Sequence, residues 1–221
     1  MHPQSRPTAT PRRRRLALLG SLTALLLLLV APLTGRAAGT SALADDCTTF
    51  KETGYQVCGL FLQYWNAHGG LAINGFPLSP ARVETLENGQ DYVVQWFERV
   101  RMEYHPENAD PAYQILLGQF GRVLHPADPG VNPKPGQRFF SETGHNLGGD
   151  FLAYWQANGG LAQFGYPLTE EFQQQLEDGK TYTVQYFERA RFERHPENQP
   201  PYTLLLGQFG RRILTETGGP R

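Results

Sequence analysis

Apolar and aromatic residues recur along this chain first at helical spacing and then in strand-like runs, and the whole order occurs twice. In residues 149–158 the apolar positions follow the period of a helix, and Gly159-Gly160 supply the left-handed backbone of a C-terminal cap. Residues 59–68 show the same pattern and end at Gly69-Gly70. The sequence therefore predicts a short first helix in each half. Its apolar positions are Phe61, Leu62, Tyr64 and Trp65, and Phe151, Leu152, Tyr154 and Trp155.

A second helix and two strands are predicted to follow. Ser79-Pro80 has the form of a helix N-cap with proline at the first helical position, and Thr169-Glu170-Glu171 is its counterpart. These helices are predicted to end near Gly89 and Gly179. Runs rich in Val, aromatic residues and Arg then predict a long strand, which His-Pro-Glu-Asn ends, and a short second strand. The predicted strands are 92–104 and 113–117, and 182–194 and 202–206.

The repetition is a duplication. Residues 50–108 align with 140–198 without a gap, and 32 of the 59 positions are identical. The expected organisation is α+β, with two tandem helix-helix-strand-strand units at 45–124 and 140–214, joined by a Pro/Gly-rich, semi-stiff linker at 125–139. Residues 215–218 resemble the start of each unit, so 215–221 are either the start of a third repeat or a final strand of the second unit.

Residues 1–44 have the features of an export segment. Four arginines at 12–15 precede an apolar stretch at 16–33, and Ala42-Leu43-Ala44 fits a cleavage site for signal peptidase. The apolar stretch is just long enough to span a bilayer, so an uncleaved N-terminal anchor remains an alternative to a cleaved signal peptide. Either way we expect the repeats to lie outside the cytoplasm, secreted or associated with the cell envelope.

Charge and cysteine content support this location and exclude one class of partner. Six of the 20 Lys and Arg residues lie in the leader and all 21 acidic residues lie from Asp45 onward, which leaves a net charge of −7 after residue 44. Such a surface does not match a phosphate backbone, so nucleic acid is not an expected partner. Cys47 and Cys58 are the only cysteines, and a disulfide between them is expected in an oxidising compartment.

The polar face predicted for the long strand provides the candidate binding residues. Alternate positions of a strand share a face, and Gln95, Phe97, Arg99, Arg101, Glu103 and His105 are identical to Gln185, Phe187, Arg189, Arg191, Glu193 and His195. Three interpretations are open: an internal network of ion pairs, a groove whose arginines bind a carboxylate or phosphate-bearing sugar, or a contact between repeats. The candidate ligand-binding residues are Arg99, Arg101, Glu103, His105, Arg189, Arg191, Glu193 and His195.

Catalytic constellations are incomplete in the sequence. Glu98 and Glu103 are an odd number of positions apart on one predicted strand, so they should face opposite ways and not form a glycosidase pair. His105 and Glu107 supply only two metal ligands where a site needs three or four. His145 would be a third ligand for the second half, but Tyr55 replaces it in the first. We therefore predict no catalytic residue, metal or cofactor, and we expect most of the aromatic residues to build the cores of the units.

The second half also resembles a known repeat family. Its Trp155, Gly159-Gly160, the turn Gly165-Tyr166-Pro167 and Thr169-Glu170 resemble the LGFP-type repeat, and residues 64–80 are a weaker copy without the acidic residue. The resemblance covers roughly 30 residues per copy and implies an exported protein that anchors or binds at the cell wall. The long strand and the His-Pro-Glu-Asn turn lie outside that pattern and are similar to exported repeat proteins of green non-sulfur bacteria. Neither resemblance implies a residue-level site.

These observations together predict an exported, non-catalytic module whose partner is a cell-wall or surface glycan or a protein of the envelope. Contact with a membrane is expected only through an uncleaved N-terminal segment. Repetition favours this class because binding modules gain avidity from it. The alternative is an envelope glycan or peptidoglycan hydrolase that uses paired carboxylates, with Glu98, Glu103, Glu188 and Glu193 as its candidates.

Overall fold

A computed structural model describes residues 42–216, so the predicted leader, except for residues 42–44, and residues 217–221 lie outside the described part of the chain. The predicted mixed α+β class is confirmed. The first half contains β1 (Cys47–Thr49), β2 (Gln56–Cys58), α1 (Gly59–Ala67), α2 (Gly70–Asn74), β3 (Arg82–Thr85), β4 (Asp91–Trp96), β5 (Arg101–Tyr104), β6 (Ile115–Leu117) and α3 (Phe120–Leu124). The second half contains β7 (Arg138–Phe140), β8 (His145–Leu147), α4 (Gly149–Ala157), α5 (Gly160–Phe164), β9 (Phe172–Gln175), β10 (Thr181–Tyr186), β11 (Arg191–Arg194), β12 (Leu204–Leu206) and α6 (Phe209–Glu216).

Each half of the described chain has the same order of α-helices and strands, and the first half has an additional 3-10 turn at Pro111–Tyr113. A two-stranded hairpin precedes two helices, and a four-stranded antiparallel sheet and a helix follow them. The sheets have the strand orders β3-β4-β5-β6 and β12-β11-β10-β9, so consecutive strands are neighbours throughout. Each sheet is thus a simple meander whose first strand, β3 or β9, lies at an edge.

The helices predicted from Ser79 and Thr169 to Gly89 and Gly179 are wrong. Strands β3 and β9 occupy these segments, and the second helix of each half is the five-residue helix that begins at the second glycine of the pair, Gly70 or Gly160. The Ser79 hydroxyl is not an N-cap, because it accepts the backbone N–H of Trp96 at 3.2 Å and so attaches the segment to the sheet. Thr169 accepts the N–H of Tyr186 in the same way at 3.1 Å.

The long strands predicted at 92–104 and 182–194 are hairpins. Strands β4 and β5 are joined by a tight turn that the Phe97 N–H closes on the Val100 carbonyl at 2.8 Å. Trp96 pairs with Arg101, so these two side chains share a face, and Gln95, which pairs with Met102, lies on the opposite face. The single polar face predicted from residue parity therefore does not exist, because the turn reverses the chain between Gln95 and Arg101.

The two halves share a core. One apolar cluster combines first-half residues such as Trp96 and Phe120 with second-half residues such as Tyr186 and Phe209. Two further clusters lie beneath the helices, and each consists mainly of residues from a single half. The described residues, 42–216, accordingly lie within one compact unit.

The segments that flank the second half differ in structure. The predicted linker has no helix or strand before β7 begins at Arg138, and it is hydrogen-bonded to the second half along its length. Helix α6 continues to Glu216, so Thr215 and Glu216 are helical and the final-strand interpretation is wrong for them.

The predicted disulfide is confirmed. It joins Cys47 and Cys58, which are paired residues of the β1–β2 hairpin. In the second half the side chain of Gln137 packs against Gly148, the counterpart of Cys58, where a Cβ would lie 2.8 Å from the Gln137 Cγ. Within residues 42–216, no helix has the length and apolar character that crossing a bilayer requires.

Candidate functional site

Each four-stranded sheet carries a buried row of Arg, Glu and His on its second hairpin, which is β4–β5 in the first half and β10–β11 in the second. In the first half the Arg101 Nε and Nη2 both donate to Glu103 Oε1, at 2.9 and 2.7 Å, and the other oxygen of Glu103 lies 3.3 Å from His105 Nε2. His105 Nδ1 contacts Glu107 at 2.8 Å. A second carboxylate, Glu87, accepts from Arg101 Nη2 at 2.9 Å. The row is therefore a continuous network of ion pairs and hydrogen bonds.

The second half repeats this network with the same atoms. Arg191 Nε donates to Glu193 Oε1 at 2.8 Å, and Arg191 Nη2 donates to Glu177 at 2.9 Å. The other oxygen of Glu193 lies 3.1 Å from His195 Nε2. Of the three interpretations of the polar residues, the internal network of ion pairs thus describes the contacts of Arg101 and Arg191.

The sequence Leu-Gly-Gln-Phe-Gly, which occurs at 117–121 and again at 206–210, supports this network. The Arg101 guanidinium lies over the rings of Trp96 and Phe120, 5.3 and 5.5 Å from their centroids, which is the distance of a cation–π contact. A Cβ on Gly118 would lie 3.1 Å from the Glu103 carboxylate. Glycine at this position therefore lets the backbone approach a buried ion pair, and the same holds for Gly207 beside Glu193.

Two clefts with equivalent linings open beside these networks. We call the one of about 420 Å³ beside Glu103 and His105 cleft N. We call the one of about 510 Å³ beside Arg191, Glu193 and His195 cleft C. Both clefts are lined by a leucine pair and by Glu, Tyr, Gly, Gln and Arg. In cleft N these are Leu86, Leu117, Glu87, Tyr92, Gly118, Gln119 and Arg122. In cleft C they are Leu176, Leu206, Glu177, Tyr182, Gly207, Gln208 and Arg211.

Each cleft is completed by an arginine from the opposite half. Arg189 lines cleft N and donates its Nε–H to the Leu117 carbonyl at 3.3 Å. Arg99 lines cleft C and donates Nη1–H to the Leu71 carbonyl of its own half at 3.0 Å. The predicted strand face placed Arg99 beside Arg101, Glu103 and His105. In the structure Arg99 is separated from these residues and instead lines the cleft of their equivalents, Arg191, Glu193 and His195.

Glu98 and Glu188, the candidates of the hydrolase alternative, join the two halves. Glu98 accepts the Phe76 N–H with one carboxylate oxygen and the Arg211 guanidinium of the second half with the other. Glu188 makes the equivalent contacts with Tyr166 and Arg122. Both oxygens of each carboxylate are therefore used as acceptors within the fold.

The electrostatics of cleft C follow from these contacts. Hydrogen bonds to Asp178, followed by burial, raise the pKa of Tyr182. Burial alone would raise the pKa of Glu177, but hydrogen bonds from Arg191 and the backbone outweigh it, so that pKa lies below its ordinary value. Burial lowers the pKa of Arg99, and the charges of Glu98 and Glu193 offset this only in part. Arg99 is therefore mostly enclosed by protein, with 18% of its side chain exposed.

The residues that carry the family resemblance are structural. The indole N–H of Trp155 donates to the Gly165 carbonyl at 3.1 Å, and a Cβ on Gly160 would lie 3.1 Å from the Trp155 ring. Trp65 donates to the Gly75 carbonyl at 2.9 Å in the same way. This motif fixes the turn after the second helix, and none of these residues lines cleft N or cleft C.

Sequence reasoning missed several cleft residues. Glu87 and Glu177, and Tyr92 and Tyr182, were assigned to predicted secondary structure without a role, although each pair is identical in the two halves. A search for positions that are identical in the two copies, extended beyond the predicted strand face, would have identified these residues. In the described part of the chain, no cluster of His, Cys, Asp and Glu is suited to hold a metal ion.

Comparison with known proteins returned no relatives. The chain matches no protein-family model, no curated protein and no solved structure.

Proposed function

We propose that this chain is an exported, non-catalytic module of two duplicated units that binds a glycan of the cell envelope through clefts N and C. The observation that carries the proposal is the equivalence of the two clefts, each completed by an arginine of the opposite half. Two similar sites on one chain allow two-point attachment to a polymer, which increases avidity without new contacts.

The lining of the clefts fits a sugar better than a flat protein surface. The lining combines leucine side chains and a glycine with charged and hydroxyl groups. Ligand sites generally combine a mostly apolar surface with a few fixed polar groups. In cleft C the polar groups are held by neighbours, since Tyr182 donates to Asp178 at 2.8 Å and Arg191 is bound by two carboxylates.

Two further observations support export and the absence of catalysis. The Cys47–Cys58 disulfide is typical of proteins in oxidising compartments, and the leader has the pattern of a signal or anchor segment. The carboxylates of the hydrolase alternative are engaged by Arg211, Arg122, Arg101 and Arg191. None is left as the free acid or nucleophile that glycoside hydrolysis requires.

The test is a pull-down of the purified protein with separate polysaccharide, peptidoglycan and protein fractions of an isolated envelope. We expect retention on a glycan fraction, reduced by Arg99→Ala or Arg189→Ala and lost when both are changed. Arg82→Ala is the control, because Arg82 pairs with Glu84 and lines neither cleft. Retention of the double variant would exclude the clefts, retention only on protein would exclude the glycan, and release of reducing ends would favour the hydrolase.

A further inference from the structure

The linker between the halves lies on the second half as an extended bound peptide. Residues 128–134 cross the β7–β8 hairpin and the segment that leads to β9, and backbone groups supply most of their hydrogen bonds. The contacts are Asp128 N to Leu168 O at 2.9 Å, Val131 N to Gly144 O at 2.8 Å, Lys134 N to Asn146 Oδ1 at 2.9 Å and Asn146 Nδ2 to Asn132 O at 3.1 Å.

The corresponding surface of the first half is an open groove. It has a volume of about 420 Å³ and is lined by Gly54, Tyr55 and Gln56, the counterparts of Gly144, His145 and Asn146. The linker covers His145, which is 0% exposed, whereas Tyr55 is 37% exposed. The two halves thus show the same surface, covered by a peptide in one and open in the other.

The groups that bind the linker have free equivalents in this groove. Within residues 42–216, the carbonyl oxygen of Gly54, which lines the groove and corresponds to that of Gly144, accepts no hydrogen bond. The exposed Gln56 amide donates only to Thr49 Oγ1, at 3.1 Å, and can present to a peptide the oxygen and N–H that Asn146 presents to the linker. We propose that this groove binds, from another molecule, an extended peptide containing Pro and Gly.

The chemistry of the peptide follows from the contacts of the linker. Proline holds a segment extended before it binds, so little conformational entropy is lost when it docks. Two contacts do not carry over. His145 Nε2 lies 3.2 Å from the Asp128 carbonyl oxygen, and Tyr55 replaces His145 in the first half. Lys134 pairs with Glu170 at 2.5 Å, and Pro80 occupies the position of Glu170 in the first half. The groove therefore recognises the extended backbone without requiring a cation.

The experiment uses the full chain, labelled with ¹⁵N, and a synthetic peptide with the sequence of residues 127–137. We expect saturable shifts at Gly54 and Gln56, with a dissociation constant of roughly 10 µM to 1 mM. Gln56→Ala should weaken binding about tenfold, because two hydrogen bonds are lost. Gln173→Ala is the matched control, since Gln173 is also exposed and donates to a threonine, Thr183, at 2.7 Å. A peptide carrying Lys134→Ala should bind as well as the original.

Three results would overturn the proposal. The first is the absence of saturable shifts at millimolar concentrations of the peptide. The second is equal binding by Gln56→Ala and Gln173→Ala. The third is a dimer in sedimentation analysis that the peptide dissociates, which would assign the groove to a second copy of this chain.

Discussion

The α-carbon of Gly121 faces the carbonyl oxygen of Phe187 so closely that no side chain fits between them. Gly210 faces the carbonyl of Phe97 in the same manner, so each half presses a helix against the turn of the other half. The backbone of Arg122 strengthens this contact by donating to the Glu188 carbonyl at 3.3 Å, and Arg211 donates to Glu98 at 3.0 Å. The halves therefore meet through reciprocal contacts between their backbones.

The first prediction concerns this contact. Replacing glycine by alanine inside a helix ordinarily stabilises a protein by up to about 1 kcal/mol, but Gly121→Ala should destabilise this one by about 1–3 kcal/mol because the added methyl meets a backbone carbonyl that cannot rotate away. Chemical denaturation measures the change. Gly210→Ala should repeat it, and a stabilising effect at either position would contradict the observed contact.

The second prediction separates the buried arginines from those that complete the clefts. Arg191→Ala should lower the free energy of unfolding by about 3–5 kcal/mol, because Glu193 would be left buried without its partner. Arg189→Ala should cost less, since its carboxylate neighbour, Glu188, lies 3.9 Å away and keeps its contact with Arg122.

Thermal unfolding and glycan retention should both be measured for these two variants. Arg212→Ala is a control for stability alone, because Arg212 lines cleft C but pairs with Glu216 and Glu177 in contacts that solvent reaches, and such pairs contribute about 0.3–0.5 kcal/mol each. Arg82→Ala, which changes neither cleft, is the control for glycan retention. A large loss of stability for Arg189→Ala, with retention unaltered in the folded fraction, would make that residue structural.

The third prediction is a pH dependence from Asp150. The hydrogen bond from Arg194 holds the pKa of Asp150 below its ordinary value, and an unfolded aspartate has a pKa of about 3.9. A group whose pKa is lowered by folding stabilises above its unfolded pKa and loses that contribution as the pH falls through its folded pKa. Asp150→Asn and Arg194→Ala should therefore each flatten the fall in melting temperature below about pH 4. Curves that stay as steep as that of the unaltered protein would contradict this.

The fourth prediction concerns the disulfide. Changing Cys47 and Cys58 to serine should destabilise the protein by about 2–3 kcal/mol, since the bond closes a loop whose ends are separated by 11 positions. Hydrogen exchange should locate the change in the β1–β2 hairpin and leave β7–β8 unaltered. In that second hairpin the packing of Gln137 against Gly148 takes the place of the bridge.

Local patterns determined much of what the sequence predicted correctly. Helices α1 and α4 end at the glycine pairs expected to cap them, because left-handed backbone is a local requirement that only glycine meets without strain. The mixed fold class and the disulfide were also accessible, since each depends on spacing or on the number of candidate residues.

The arrangement of the candidate site required the tertiary structure. A run such as Gln95 to Glu103 has strand-forming residues on both sides of a turn, and the turn itself, Phe97–Val100, lacks the Gly or Asn that would reveal it. The segment after Ser79 resembles a helix start, but the hydroxyl instead accepts an N–H from Trp96, a residue 17 positions away. Both errors come from contacts that no local pattern encodes.

The sequence by itself determined that residues such as Arg99 and Arg189 are equivalent in the two copies, because duplication is visible as identity. Only the tertiary structure decided that each lies in the cleft of the opposite half, beside Glu193 and Glu103 respectively. The physical reason is that the halves bury a common core and press helix against turn through Gly121 and Gly210. Such docking depends on surface shape across the whole chain, which the spacing of residues within one copy does not specify.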